Sequence, residues 1–182
     1  MYGCLIKAAL TGEDAEYSDE QRASVFVKNN SMHGHKTLQI FYTTYDLRRE
    51  CDTIKVDSHP YIAVPAEEED TGERLWFAQV IGIYHVLAKL RGETEWQRVE
   101  FLHVRWFARD RVQHARRLPR LVFFDSDTEN DMAFGFISPA LIVRGAHIIP
   151  AFSHGRTEHL LAGKSVARPG GGTSDYAVYY LN

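Results

Sequence analysis

The chain has 182 residues, 45% of them hydrophobic and 25% charged, and a formal net charge of −3. This composition fits one globular domain able to bury a core without covalent staples, and it excludes a disordered, collagen-like or coiled-coil chain. The mild acidity excludes a uniformly basic nucleic-acid binder, although a local basic stripe fits inside such a total.

Two cysteines, Cys4 and Cys51, lie far apart and form no paired motif, so neither a disulfide framework nor a cysteine zinc site is expected. The opening MYGCLIKAAL is too short for a secretory signal, and no apolar run approaches a membrane span. Nucleus or cytoplasm is the expected compartment, with no membrane partner.

In chain order, residues 1–23 read as an acidic solvated arm with a short helix, and 24–28 as a short strand. Residues 29–36 (NNSMHGHK) carry turn chemistry, because Asn and Gly tolerate positive φ. The Thr-, Tyr- and Phe-rich stretch 37–46 predicts a strand, with short apolar pieces at 53–57 and 61–64. An acidic loop at 67–70 precedes the strongest signal, the β-branched and aromatic run 74–90. A polar turn at 91–97 leads into 98–109, where Leu102, Val104 and Trp106 alternate with His103 and Arg105. Two such runs across a short turn predict a long β-hairpin, with its register fixed by the apolar pattern.

Residues 110–117 read as a helical turn, 118–124 as a strand broken by Pro119, and 125–131 as an acidic loop. Short strands are expected at 134–137 and 141–152. Beyond 153 the chain loosens, 168–173 (RPGGGT) reads as a linker, and the final DYAVYYLN reads as the start of a strand in a truncated product. No internal repeat appears. The expected organisation is an N-terminal arm (1–36), an all-β barrel domain (37–152) and a C-terminal extension (153–182).

No nucleophile elbow, phosphate loop, zinc-protease helix or dinucleotide fingerprint is present, so a non-catalytic protein without a small-molecule cofactor is expected. His33 and His35 share a strand-like spacing but sit among turn residues, and His154 and His159 match no common ligand spacing. The acidic stretch 125–131 lacks the glycine of a calcium loop. No metal is expected. Two clusters remain. Arg105, Arg109, Arg111, Arg116, Arg117 and Arg120 could neutralise phosphates. Trp76, Phe77, Tyr84, Trp96, Trp106 and Phe107 could fill a barrel core or, beside a carboxylate, cage a methylated lysine.

The segment WFAQVIGIYHV (76–86), its polar turn and VEFLHVRWFARD (99–110) resemble the heart of bromo-adjacent homology (BAH) domains. The wider chain is similar to a family from mushroom-forming fungi, often encoded near transposable elements, through LQIFYTTYDLRRE (38–50), VRWFARD and VRGAHIIPAFSHGRT (143–157). A similar strand pair occurs in a domain of plant transposon-encoded proteins.

The BAH resemblance implies a mainly β, partly open SH3-like barrel with short helices and long loops. It further implies a non-catalytic module that binds histone tails, nucleosomes or other proteins. The negative balance and the acidic loops at 67–70 and 125–131 suit a histone tail or another basic peptide, and the expected role is chromatin-associated. Phe77, Tyr84 and Phe107 would touch the peptide, with Glu100 or Asp110 as charge partners. Ala108 and Asp110 stand where many BAH readers carry an aromatic and a proline. The alternative is a DNA-binding accessory domain of a transposase-like protein, with Arg105, Arg109, Arg111, Arg116 and Arg117 facing phosphates.

Overall fold

A computed structural model of the chain describes residues 2–12, 17–18, 21, 23–66, 74–110, 119–125 and 133–182. It is mainly β, with 53% in strands, one α-helix and a sheet curled into a half-barrel. The acidic loop 67–70 lies outside the described residues, as do 111–118 and 126–132, which hold most of the expected helical turn and of the second acidic loop.

The helix α1 (Tyr2–Thr11) comes first. The strands follow as β1 (Val25–His35), β2 (Thr37–Thr43), β3 (Arg49–Lys55), β4 (Tyr61–Pro65), β5 (Leu75–Leu90), β6 (Gln97–Arg109) and β7 (Arg120–Phe123). After these come β8 (Phe134–Ile137), β9 (Arg144–Gly145), β10 (Ile148–Pro150), β11 (Arg156–Thr157), β12 (Asp175–Tyr176) and β13 (Tyr179–Leu181).

The expected hairpin is the spine of the main sheet. β5 and β6 pair antiparallel from Phe77↔Phe107 to Ala88↔Gln97, with one irregularity between Val80 and Gly82 that leaves Ile81 as a bulged residue. Around this spine the main path runs β10–β13–β7–β6–β5–β4–β9, while β1 pairs with β5 and β8 with β6.

The bulge keeps two continuous faces. On one, Ile62, Val64, Ala78, Val80, Ile83, Leu102 and Val104 are buried beneath Leu38, Ile40 and Ile54 of the β2–β3 hairpin. On the other, α1 covers Val86, Ala88, Val99 and Phe101 through the fully buried Ile6. Farther along that second face, Ala63, Phe77, Phe107, Leu121 and Phe123 pack with Ile148 and Tyr179. Each large apolar side chain so buried contributes about 1.5–3 kcal/mol.

Two expectations are corrected. Residues 29–36 are not a free turn: Met32–His35 pair with β5, after an irregularity at which Asn29 (φ 55°) and Asn30 (φ 49°) take the left-handed conformation. Asn accepts that conformation at low cost, so the strand kinks there and continues. Nor does the chain loosen after 153. Ala167, Arg168, Asp175, Val178 and Tyr179 are buried, and β13 lies between β7 and β10. This segment covers the face of β6 that alternation alone assigns to solvent.

Candidate functional site

The alternation of β6 places Phe101, His103, Arg105 and Phe107 on one face and Glu100, Leu102, Val104 and Trp106 on the other. Arg105 is therefore aimed beneath the segment that follows residue 153, and it is fully buried. Its Nη1 and Nη2 donate to Oδ1 and Oδ2 of Asp175 at 2.9 and 3.0 Å. Its guanidinium stacks on the Phe123 ring, 3.9 Å from the centroid.

Arg168, also buried, donates from Nη2 to Asp175 Oδ2 at 2.9 Å and to the Leu161 carbonyl at 2.8 Å. Its Nη1 bonds the Gly163 carbonyl. One carboxylate thus serves two guanidiniums, and the buried group carries a net charge of about +1. Burial pushes the Asp175 carboxyl up, but the hydrogen bonds and charges of Arg105 and Arg168 outweigh it and hold the group below its ordinary value.

This triad anchors one wall of an open cleft of about 1000 Å³. Tyr61, Gln79 and Ile81 form the sheet side, and 164–168 with 174–176 form the opposite side. Gln79 ties the two together by donating from Nε2 to the Ala167 carbonyl at 3.1 Å. Tyr61 and Tyr179 also line it, and burial pushes both hydroxyls up from their ordinary value. Arg156 lies at the rim with its guanidinium over the Tyr176 ring, and it donates to the Ser174 hydroxyl at 2.9 Å and carbonyl at 2.8 Å. Lys164 and Asp57 are exposed at the edge.

The residues expected to hold a basic peptide are not assembled. Phe77 and Phe107 face each other in register but are buried with Tyr61, Phe123 and Tyr179. Phe107 stacks on Phe123 at 4.1 Å and meets Tyr179 edge-on at 5.2 Å. Tyr84 is opposite Phe101, six strand positions from Phe107, which is about 20 Å. Its ring lies back over Gly82 and packs on Phe101 at 5.7 Å. Glu100 projects from the other face and pairs with Arg98 at 2.8 Å. Asp110 pairs with Arg120 at 2.6 Å.

Of the phosphate-facing set, two residues fall among the described ones. Arg105 is consumed inside the core, Arg109 is exposed at the end of β6, and Arg111, Arg116 and Arg117 lie outside the described residues. His33 and His35 stand on β1 beside His85, with His35 Nε2 and His85 Nδ1 2.7 Å apart and His33 stacked on His85. Among the described residues, no group of three or more His, Cys, Asp or Glu is placed to hold a metal ion.

Sequence reasoning missed Tyr61, Arg156, Lys164, Arg168 and Asp175. A signal existed for the central pair. Arg105 shares its parity with Phe101 and Phe107, and Asp175 shares its parity with Ala177 and Tyr179. Two inward charges of opposite sign are expected to seek one another.

A second, apolar hollow of about 250 Å³ opens beside Trp76 and Trp106, whose rings meet edge to face at 5.8 Å. No family model, curated protein or solved structure matches this chain.

Proposed function

We propose that the chain is a non-catalytic interaction module, with a BAH-like and SH3-like barrel core, that takes an extended segment of a partner protein into the cleft between its sheet and residues 156–176. The observation that carries this reading is the cleft itself: open, about 1000 Å³, and walled by a side held in place through buried ion pairs. That volume is at the upper end of small-molecule sites, and its open form suits a chain passing through. The long β5–β6 hairpin supports the barrel part of the reading, since the BAH resemblance lies on those two strands. A histone-tail form of this reading needs aromatic faces around one lysine, and Phe77, Tyr84 and Phe107 do not converge in that way.

The test is a binding screen of the purified chain against modified and unmodified histone-tail peptides, acidic and neutral peptides, and a duplex DNA, at two salt concentrations. Ser58, exposed at the cleft edge, is replaced by Trp to obstruct it. Peptide binding that is lost in Ser58→Trp is expected. Binding untouched by Ser58→Trp overturns the cleft reading. Salt-steep DNA binding without peptide binding turns the assignment to the transposase accessory domain.

A further inference from the structure

The charges around the cleft are unequal. Arg156, Lys164 and Arg168 line it, against Asp57 and Asp175. Asp175 is already shared between two buried guanidiniums, one of them Arg105 behind the wall. The nearby positive charge therefore exceeds the negative, and part of that excess lies in a low-dielectric interior where its field is weakly screened. Arg156 is held in place by Ser174 and Tyr176 and keeps Nη1 for a ligand. Lys164 is exposed at the edge of the cleft.

Resting on the cleft reading above, we infer that the bound segment is acidic: an aspartate- or glutamate-rich peptide whose carboxylates meet Arg156 and Lys164 over the buried Arg105–Asp175–Arg168 group. A basic peptide would add like charge to an uncompensated positive site. The Tyr61 and Tyr179 hydroxyls line the cleft and can donate to an entering carboxylate. An excess of positive charge favours carboxylates by electrostatic complementarity. The concave placement of both rim cations suits a flexible peptide better than the convex phosphate row of a duplex.

The experiment measures anisotropy of short fluorescent poly-glutamate, poly-lysine and Gly-Ser peptides with the wild-type chain, Lys164→Glu, Arg156→Lys, Ser58→Trp and the exposed control Lys36→Glu. Circular dichroism confirms that each variant is folded. Poly-glutamate is expected to bind, about ten-fold more weakly to Lys164→Glu. It should also weaken in Ser58→Trp and, because lysine cannot keep the Ser174 bonds that hold Arg156, in Arg156→Lys, while Lys36→Glu is unchanged. Equal weakening by Lys36→Glu overturns the site in favour of general charge attraction. Poly-lysine or Gly-Ser binding that Ser58→Trp abolishes overturns the acidic ligand and leaves the cleft reading standing. No binding by any of the three peptides overturns both.

Discussion

Arg105 and Asp175 are seventy positions apart in sequence, yet they meet as a bidentate pair with both oxygens engaged, inside a face that otherwise holds Phe107, Phe123 and Tyr179. Removing one member of a buried pair leaves the other charge desolvated and unmatched. Asp175→Asn is expected to lower unfolding free energy by about 3–5 kcal/mol, read from urea denaturation. Replacing Arg105, Asp175 and Arg168 together by Met, Leu and Met should cost clearly less, because no charge is then stranded. A triple variant as unstable as Asp175→Asn would contradict this account.

Stability should fall with acid in two windows. Burial lowers the His85 imidazole below 6.5, and the charges of Arg98, His33 and His35 lower it further against Glu100. Burial alone lowers His103. A depressed folded value means stabilisation present above the unfolded 6.5 and lost as pH falls through the folded value. Asp175 follows the same sign lower down, losing its contribution as pH drops below 3.8. Melting temperature should therefore decline from about pH 6.5 and again below about pH 4. The double variant His85→Asn with His103→Asn should flatten the upper decline, and an unaltered upper decline would remove these two histidines as its source.

Phe77→Ala should cost about 3–5 kcal/mol, the usual penalty for emptying a buried aromatic site. Phe77 is only 6% exposed and belongs to the cluster beneath β13. Any loss of ligand binding in that variant must be compared with its loss of folded protein, measured by denaturation in parallel. A Phe77→Ala protein of wild-type stability would mean that the site is not core.

Gly82 is fixed by Tyr84. A Cβ on Gly82 would stand 2.4 Å from the Tyr84 ring and hydroxyl, closer than side chains tolerate. Gly82→Ala should destabilise by about 1–3 kcal/mol through overpacking. Pairing it with Tyr84→Leu should restore part of the loss, and thermal melting of the single and double variants checks the coupling.

The β5–β6 hairpin was legible because its two apolar runs carry local alternation and a polar turn between them. The mainly β character followed from it. β1 was less legible, since Asn29, Asn30 and Gly34 advertise a turn, while the pairing of Met32–His35 depends on β5, some fifty residues away. The cleft was hidden for a related reason. His103 and Arg105 look like the solvent face of a half-buried strand, and only a distant irregular segment covers them. The arginine cluster 105–120 reads as one basic patch along the chain, but strand parity sends Arg105 inward and leaves Arg109 outside. The aromatic set contains genuine core members, and composition does not distinguish a packed ring from one in a cage.

The position of β13 also bears on the order in which the protein can assemble. The β5–β6 hairpin is complete by Arg109, but its Phe77, Arg105 and Phe107 face is closed by Asp175 and Tyr179. During synthesis that face waits, with a charged guanidinium set among exposed rings, until some seventy further residues have been made. Contacts of such long span slow folding, and the uncovered apolar face invites aggregation in the interval. A nascent chain that has passed β6 but not yet delivered β13 is the species on which chaperones should act.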